Sequence, residues 1–559
     1  MSKKELPENN KFTNKVGLFL ALTFYVVSVI MVAYNTSEST KLGGEVQTIT
    51  IAHWQLEDGF REGFDEAIKQ YEELKAKQGQ KVKIIQTTVP YRGYSQWFIT
   101  QLISGNPADI IELSGDSRLH NQYFRALSSY IAQPNPYNVG TPLAGMPWKD
   151  TYIDGMKSSL DRVYAEYFGI GTFFHVLRVY VNKDLLKAAT GSSKLPETFD
   201  EWMEDCRKLR EYGEREEKTI IPIGVRGFDK STLDSLFKQY FSQLNGNLND
   251  NESLLCESSA NNYDILKALA NRKLDPNRLL AATDLIKELG QNFNEGFTAT
   301  DLEQTKFLFF TGNVGFFPEG TWNAWSMVNN SPFEVGVINI PIIGKRNRYY
   351  KDFTGRTSEM GVWVGGRFGI TKASKNFDLS LDFMRFLTSW KINQMTMMDY
   401  CKWPPAVIKA EYKGLLKKFV PIEGDAMLPA AHPFAFGRKS RVKMLEILEQ
   451  LIISNDPDAK KSFWRNYLKI LPFIREELVE LDNSLERQFF DIEGQRNSIA
   501  MGLETREVSA QKRKKLEYRY SMGLENLAAR ITQKQQAREA LKSLDKLKEK
   551  SASIEKELK

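Results

Sequence analysis

The sequence contains few of the residues that build metal sites and disulfide frameworks. Its three cysteines, Cys206, Cys256 and Cys401, are odd in number and far apart, which excludes a disulfide framework although not a single bridge. None of the four histidines falls at metal-ligand spacing with another histidine or with a cysteine. The sequence therefore predicts neither a metal site nor any other cofactor.

Signatures of nucleotide binding and of hydrolytic catalysis are also absent. The sequence has no Gly-x-x-x-x-Gly-Lys-Ser/Thr phosphate loop, no Gly-x-Ser-x-Gly elbow and no His-Glu-x-x-His motif. Nor is there a large excess of basic residues, because 76 lysines and arginines face 70 acidic residues, for a net charge of +6. A nucleic-acid-binding surface usually needs a concentrated basic face, so nucleic acid is not an expected partner.

The composition is that of a globular protein with more than one domain. Hydrophobic residues make up 42% of the chain and charged residues 26%, which excludes a disordered polymer and a polytopic membrane protein. The length of 559 residues exceeds one compact core, because domains typically contain about 100–200 residues. Two or more domains, or one domain with extensions, are therefore expected.

One apolar run near the N-terminus predicts export from the cytoplasm. Residues 16–34 are nineteen positions without a charge, and a helix of this length roughly matches a ~30 Å hydrocarbon core. Lysines precede the run, so residues 1–15 are predicted to be a cytoplasmic stub and the body, after a linker at 35–45, to face the periplasm or cell exterior. A cleaved signal is the alternative, but the run exceeds the ~7–15 residues of a signal core. An uncleaved transmembrane anchor is the preferred interpretation.

The first part of the body alternates strand-like and helical segments. Apolar, β-branched runs predict strands at Val46–Trp54, Lys81–Val89 and Ala108–Leu113. Helical periodicity predicts helices at Gly59–Lys77 and Ser95–Ser104 between them. This order is typical of a parallel sheet with helices on both faces, and such sheets bind ligands beyond the carboxyl ends of their strands.

The middle of the chain repeats this alternation. Strand-like runs occur at Tyr167–Asn182, Thr219–Val225, Val314–Phe317 and Phe333–Ile340, with helical segments between them. The sequence therefore predicts an α/β fold of two lobes, with the chain passing between the lobes more than once.

Five motifs follow one another in a fixed order between about Val46 and Arg438. They are Val181–Leu186 with Leu195–Trp202, then Phe307–Trp322, Phe333–Pro341, Gly365–Ser374 and Phe383–Ser389. In this order they resemble the extracellular solute-binding proteins of ABC importers, in the class that includes sugar-binding members. Each motif alone is a weak signal, but five in the family's order argue against chance.

The resemblance implies a periplasmic-binding-protein-like clamp whose two lobes close over a ligand by hinge bending. It also implies a non-enzymatic function, in which a carbohydrate-type small solute is captured and delivered to the permease subunits of an ABC transporter. Two alternatives stay open. One is a carbohydrate-cleaving enzyme with a carboxylate pair in the cleft. The other is a ligand sensor or scaffold that acts through the C-terminal helices.

The expected boundaries follow from the motifs and the hydrophobic pattern. The two-lobed body is placed at residues 46–440, with interlobe crossovers. The first lobe is expected to comprise about 46–160 plus 314–365, and the second lobe about 161–313 plus 366–440.

Candidate ligand-binding residues are aromatic or planar polar side chains near strand ends, because sugars present apolar faces and a rim of hydroxyls. Trp54, Glu57 and Asp58 follow the first strand, and Ser114 and Asp116 follow the third. The alternative interpretation places Trp54 in the core and makes the polar residues helix caps.

A second group of candidates lies in the middle of the chain. Trp322 matches the tryptophan of the family's Gly-x-Trp motif, which in sugar-binding members commonly stacks on the ligand, and Glu319 precedes it. The remaining candidates are aromatic or charged residues that are more readily explained as structural: Tyr94, Phe173, Arg226, Asp229 and Trp363.

The C-terminal region is predicted to be helical. Residues 441–500 are expected to pack on the second lobe, with a helix that starts at Pro472. Residues 501–559 are expected to form a helical or coiled-coil extension. A seven-residue apolar repeat supports a heptad seam, at Leu478, Leu485, Ile492 and Ile499. Glycines interrupt this repeat, so a solvated, partly frayed helix is an equal alternative.

Overall fold

The computed structural model describes residues 46–57, 59–115, 117–161, 164, 166–228, 230–246, 248, 262–359, 364–427, 432–505 and 509–558. The predicted transmembrane segment at residues 16–34 lies outside the described residues. Within the described part, none of the helices combines the length and apolar character needed to cross a membrane.

The described residues form two principal sheets, many helices and three small two-stranded sheets. The strands of the principal sheets are β1 (Gln47–His53), β2 (Val82–Thr88), β3 (Ile110–Glu112), β4 (Leu177–Asn182), β5 (Ile221–Ile223), β6 (Val314–Gly320), β7 (Val335–Ile338) and β8 (Phe368–Ile370). The small sheets pair Leu160–Asp161 with Glu166–Tyr167, Phe173–Phe174 with Val364–Gly365, and Thr357–Ser358 with Ala426–Met427.

The helices cover both principal sheets and form the C-terminal region. In chain order they are α1 (Phe60–Lys77), α2 (Tyr91–Ser104), α3 (Ser117–Tyr123), α4 (Ser128–Ile131), α5 (Lys183–Thr190), α6 (Phe199–Arg215), α7 (Ser231–Asn245), α8 (Asn262–Ala270), α9 (Pro276–Leu279), α10 (Ala281–Gly290), α11 (Leu302–Phe310), α12 (Ala324–Asn329), α13 (Phe377–Leu387), α14 (Trp390–Gln394), α15 (Arg438–Ile453), α16 (Ala459–Thr505) and α17 (Ala510–Glu557). A π-helical segment, Met395–Cys401, continues α14.

The first lobe is built on the sheet with strand order β8-β3-β1-β2. β1 runs parallel to β2 and β3, as the alternation of strands and helices predicts, whereas β8 is antiparallel to β3. Ile49 and Ile51 of β1 are fully buried beneath α1 together with Phe60 and Phe64. The carboxyl ends of the three parallel strands therefore meet at one edge of the sheet.

The second lobe is built on the sheet with strand order β7-β4-β6-β5. β4 is antiparallel to both neighbours, and β5 is parallel to β6. Successive residues of β4 enter different cores, because side chains alternate between the faces of a strand. Val179 and Val181 pack with Trp202 of α6, whereas Tyr180 packs with Phe317 on the other face.

The assignment of the later segments to the lobes corrects the sequence prediction. Strands β6 and β7 belong to the second-lobe sheet, so the expectation that residues 314–365 complete the first lobe is wrong for these strands. Strand β8 pairs with β3 and α13 packs in the first-lobe core, so residues 368–387 do not belong to the second lobe. The lobe to which a strand belongs is decided by its pairing with distant segments, and a strand's own residues carry little information about its partner.

Helices α16 and α17 pack side by side as an antiparallel pair. Pro472 lies inside α16, not at a helix start. Helix α17 runs antiparallel to α16, as ion pairs between Arg465 and Glu555 at 2.6 Å and between Arg538 and Asp482 at 3.1 Å show. The predicted heptad residues Leu478 and Leu485 are buried, which explains the apolar repeat.

The C-terminal half of α17 is part of the second-lobe core. Leu544, Leu547 and Ile554 are 3%, 0% and 0% exposed and share one apolar cluster with Trp464 of α16 and Leu285 of α10. Removal of residues 501–559 would therefore expose a large apolar surface of the second lobe. The burial of these side chains excludes a solvated, frayed helix for the C-terminal half of α17.

Candidate functional site

A cavity of about 580 Å³ lies where residues of the two lobes meet. The first lobe contributes Leu56 and Glu57, from the segment that follows β1. The second lobe contributes the side chains of Arg226, Leu302, Glu303, Lys306, Phe310, Trp322, Asn323, Ser326 and Asn330. Three of the predicted site residues, Glu57, Arg226 and Trp322, are thus brought into one cavity, although they are far apart in sequence.

Trp322 forms part of the cavity wall and is only partly buried. Its indole covers Gly320, where an added Cβ would lie 2.2 Å from the ring, so this position requires the absence of a side chain. The ring also meets His175 edge-on, at 5.2 Å between centroids. These contacts hold an aromatic surface at the cavity, as a stacking residue requires.

Glu319 contacts the cavity residue Arg226. The Glu319 side chain is 1% exposed and does not line the cavity, but its Oε2 lies 2.9 Å from Nε of Arg226. Its Oε1 accepts a hydrogen bond of 2.7 Å from the backbone N–H of Gly320. Glu319, predicted as a ligand contact, therefore pairs with a cavity residue and is not part of the cavity wall in this structure.

Asn323 is a cavity residue that the sequence analysis missed. It is 6% exposed, and its Nδ2 has no hydrogen-bond partner among the described residues. An unpaired buried amide donor is costly unless a ligand or water satisfies it. The Gly-x-Trp motif could have indicated Asn323, because Asn323 directly follows Trp322 in the chain and lines the same cavity.

Tyr94 and Phe173 belong to the cores of the first lobe, which corrects both predictions. Tyr94 is 1% exposed, and its hydroxyl donates to the backbone carbonyl of Glu112 at 2.7 Å. Phe173 is fully buried and packs on Trp403 at 4.5 Å between ring centroids. Neither ring lines the cavity.

Trp54 and Ser114 lie at the carboxyl ends of β1 and β3, as predicted, but neither lines the cavity. The Trp54 indole packs edge-on against Tyr94 at 4.8 Å. Ser114 Oγ lies 3.2 Å from Ser95 Oγ. The other four candidates, Asp58, Asp116, Asp229 and Trp363, lie outside the described residues and stay predictions.

A buried carboxyl group supports the first-lobe side of the site. Glu112, at the end of β3, is 0% exposed, and its Oε1 accepts a 2.6 Å hydrogen bond from Nε2 of Gln55. Burial raises the pKa of the Glu112 carboxyl well above its usual range, although the bond from Gln55 opposes this shift. The Glu112–Gln55 bond ties the end of β3 to the segment that carries Glu57.

His53, the last residue of β1, belongs to the same network. The backbone N–H of Gln55 donates to its Nδ1 at 3.2 Å, so Nε2 carries the proton and donates to Oε1 of Gln86 at 2.7 Å. Burial lowers the pKa of the His53 imidazole from its ordinary 6.5 to about 4, despite these hydrogen bonds.

His53 is therefore expected to make the protein less stable as the pH is lowered. The folded-state pKa of about 4 is below the unfolded value of 6.5, so the unfolded chain binds the extra proton between these values. The stabilisation is complete above pH 6.5 and is lost as the pH falls toward 4, by about 1.4 kcal/mol per pH unit. Urea unfolding at several pH values measures this slope. His53→Leu should reduce the slope by that amount below pH 6.5, and an unchanged slope would contradict the assignment.

Among the described residues, no group of three or more histidine, cysteine, aspartate or glutamate side chains could hold a metal ion.

Comparisons with known proteins identify the family of this chain. The family model described as bacterial extracellular solute-binding protein matches residues 55–393, more than half of the chain. Among curated protein sequences, none matches this chain.

Several solved structures share the fold. The SBP RafE in complex with raffinose is 16% identical, with a TM-score of 0.52 over 75% of this chain and 97% of its own. RafE in its apo-form comes from Streptococcus pneumoniae. The GacH receptor of Streptomyces glaucescens is 14% identical, with a TM-score of 0.51 over 77% and 98%. The bacterial solute receptor AcbH is 13% identical, with a TM-score of 0.52 over 76% and 98%.

Identities this low show the shared fold and no more. The family match covers both lobes and the cavity residues Glu57, Arg226 and Trp322. It also decides between a binding protein and an enzyme, because the members of this family are extracellular solute-binding proteins. The chain belongs to the bacterial extracellular solute-binding protein family.

Proposed function

We propose that this protein binds a carbohydrate in the cavity between its lobes. The observation that carries the proposal is the cavity lining, which combines one indole surface with planar polar side chains from both lobes. Trp322 offers a face for the C–H surface of a sugar ring, and Asn323 offers an unpaired amide donor for a hydroxyl. Proteins of the same fold include a RafE complex with raffinose and a GacH complex with acarbose.

Hinge closure is the proposed mechanism. A ligand that contacts Glu57 of the first lobe and Trp322 of the second gains contacts only when the lobes are close. Ligand binding therefore favours the closed form, because a ligand shifts an equilibrium toward the state it binds better. In this proposal the closed form delivers the intact solute to the permease of an ABC transporter.

Membrane attachment is a separate proposal. The uncharged run at residues 16–34 supports an uncleaved anchor that holds the body on the outer side of the cytoplasmic membrane. The N-terminal sequence of the mature protein tests it, because a chain that starts after residue 34 would show a cleaved signal instead.

The binding proposal is tested by calorimetry with raffinose, acarbose and galactose. We expect at least one of them, or a related oligosaccharide, to bind and to raise the unfolding temperature, as mass action requires. Trp322→Ala should weaken that binding by about 5–30-fold, because it removes a stacking interaction that contributes ~1–2 kcal/mol. Trp390→Ala is the matched control, since Trp390 is also partly buried but lies in α14, outside the cavity.

Two results would contradict the proposal. Equal ligand affinity in the Trp322 and Trp390 variants would show that the ligand does not bind in this cavity. Recovery of a cleaved sugar after incubation would favour the enzyme alternative, whereas a solute-binding protein releases its ligand intact.

A further inference from the structure

A second cavity, of about 600 Å³, lies in the second lobe and shares no lining residue with the first. It is bounded by the first turns of α7 and α15 and by the segment that precedes α15. Its polar lining residues are Ser231, Lys238, His432, Arg438 and Arg441. The proposed carbohydrate site does not use any of them.

Three of the side chains that line this cavity are cationic. Lys238 is 3% exposed, and Oδ2 of Asp234 lies 3.9 Å from Lys238 Nζ and 2.8 Å from Arg441 Nη2. Arg438 adds a third cation. The neighbouring carboxylate of Glu477 accepts at its Oε1 the backbone N–H groups of Lys439 and Ser440, in the first turn of α15. Among the described residues, the cavity lining therefore carries three cations and no carboxylate, and the carboxylates of Asp234 and Glu477 lie beside it.

His432 adds a buried donor. Its side chain is 2% exposed, and the backbone N–H of Phe434 donates to its Nδ1 at 3.2 Å, so Nε2 carries the proton. This Nε2 has no hydrogen-bond partner among the described residues. Its ring stacks on Phe237 at 5.1 Å, which fixes its orientation. A buried donor without a partner is unfavourable, and a bound acceptor would remove this cost.

The other part of the lining is apolar. Phe436, Val442 and Leu445 lie beside the cationic residues, and Val442 is 48% exposed. A water molecule occupies only about 30 Å³, and an inorganic anion occupies a few times that volume. The cavity, at about 600 Å³, is therefore much larger than an inorganic anion needs. Its volume falls in the range of organic-ligand pockets.

We propose that this second cavity binds an organic anion, with a phosphate or carboxylate group on Lys238, Arg438 and Arg441 and an apolar body on Phe436. All the polar lining groups can donate hydrogen bonds, which suits an oxyanion. The first turn of α7, which starts at Ser231, adds the positive end of a helix dipole.

Phenyl phosphate is the test probe, because it combines both required parts. Calorimetry on the full chain should show that phenyl phosphate binds at least tenfold more tightly than inorganic phosphate or phenol alone. Equal binding of phenyl phosphate and phenol would show that the cations contribute nothing, and would overturn the proposal. So would the absence of binding at millimolar concentrations.

Two variants locate the probe. Arg438→Gln, at an exposed position, and His432→Phe, which keeps the stacked ring, should each weaken phenyl phosphate binding by about tenfold. Lys443→Gln is the control with the same charge change, because Lys443 lies in α15 beside Glu446 and does not line the cavity. It should change binding by less than twofold, and an equal loss in the control would show nonspecific electrostatics.

Trp322→Ala separates this site from the carbohydrate cavity. Phenyl phosphate binding should be unchanged in this variant even if no sugar ligand is found, so the two proposals can fail independently. A loss of phenyl phosphate binding in Trp322→Ala would place the probe in the first cavity and refute the second site.

Discussion

Replacement of Arg178 with methionine is expected to lower the free energy of unfolding by about 3–5 kcal/mol. Arg178 lies on β4 and is 0% exposed. Its Nη1 and Nη2 donate to the two carboxylate oxygens of Glu359 at 2.6 and 3.0 Å. The substitution would leave Glu359 buried without its counter-ion, which costs more than the pair itself contributes.

The same guanidinium also binds the backbone of residues 418–420. It donates to the backbone carbonyls of Lys418 at 2.6 Å and Val420 at 2.9 Å. Arg178 is also the register partner of Glu319, which pairs with Arg226 in the cavity. Sugar affinity should therefore fall together with stability in Arg178→Met.

Urea unfolding measures this effect, and Arg207→Met is the control. Arg207 pairs with Glu204 at 2.6 Å on the surface of α6, where an ion pair contributes only about 0–1 kcal/mol. The double variant Arg178→Met/Glu359→Leu should lose less stability than the single variant, because no unpaired charge stays buried. If Arg178→Met and Arg207→Met cost the same, the buried pair does not stabilise the lobe.

Replacement of Gly59 with alanine is expected to cost at least about 3 kcal/mol. Gly59 has φ of +85°, a region that side chains disfavour, and an added Cβ would lie 2.4 Å from the backbone carbonyl oxygen of Tyr400. Backbone cannot move aside as a flexible side chain can. The first helix would have to shift away from the π-helical segment Met395–Cys401, and the segment that carries Glu57 would shift with it.

Gly79→Ala is the matched control. Gly79 has φ of +77°, but an added Cβ there meets no atom within 4 Å. This variant should therefore show only the cost of the left-handed backbone, of order 1 kcal/mol. Gly59→Ala should also weaken ligand binding, measured by calorimetry below the unfolding temperature. Equal destabilisation by the two substitutions would show that the contact with Tyr400 is unimportant.

The site could be predicted only in part because strand-end position does not determine exposure. Glu57, Arg226 and Trp322 carried enough local signal to be named from sequence, and the structure brings them to one cavity. Tyr94 was also named because it is aromatic, but neighbouring side chains bury its ring in the folded protein. Glu112 was missed because an acidic residue within an apolar strand has no visible partner in sequence, whereas the structure supplies Gln55.

The sequence by itself determined the local elements and the family. Periodicity located most strands and helices within a few residues, because side-chain alternation and helical spacing are properties of neighbouring residues. The tertiary structure alone decided which lobe receives β6, β7 and β8, that α17 completes the second-lobe core, and which aromatic rings face the cavity. These outcomes depend on contacts between segments hundreds of residues apart, and the free energy of such contacts comes from surfaces that exist only after the chain has folded.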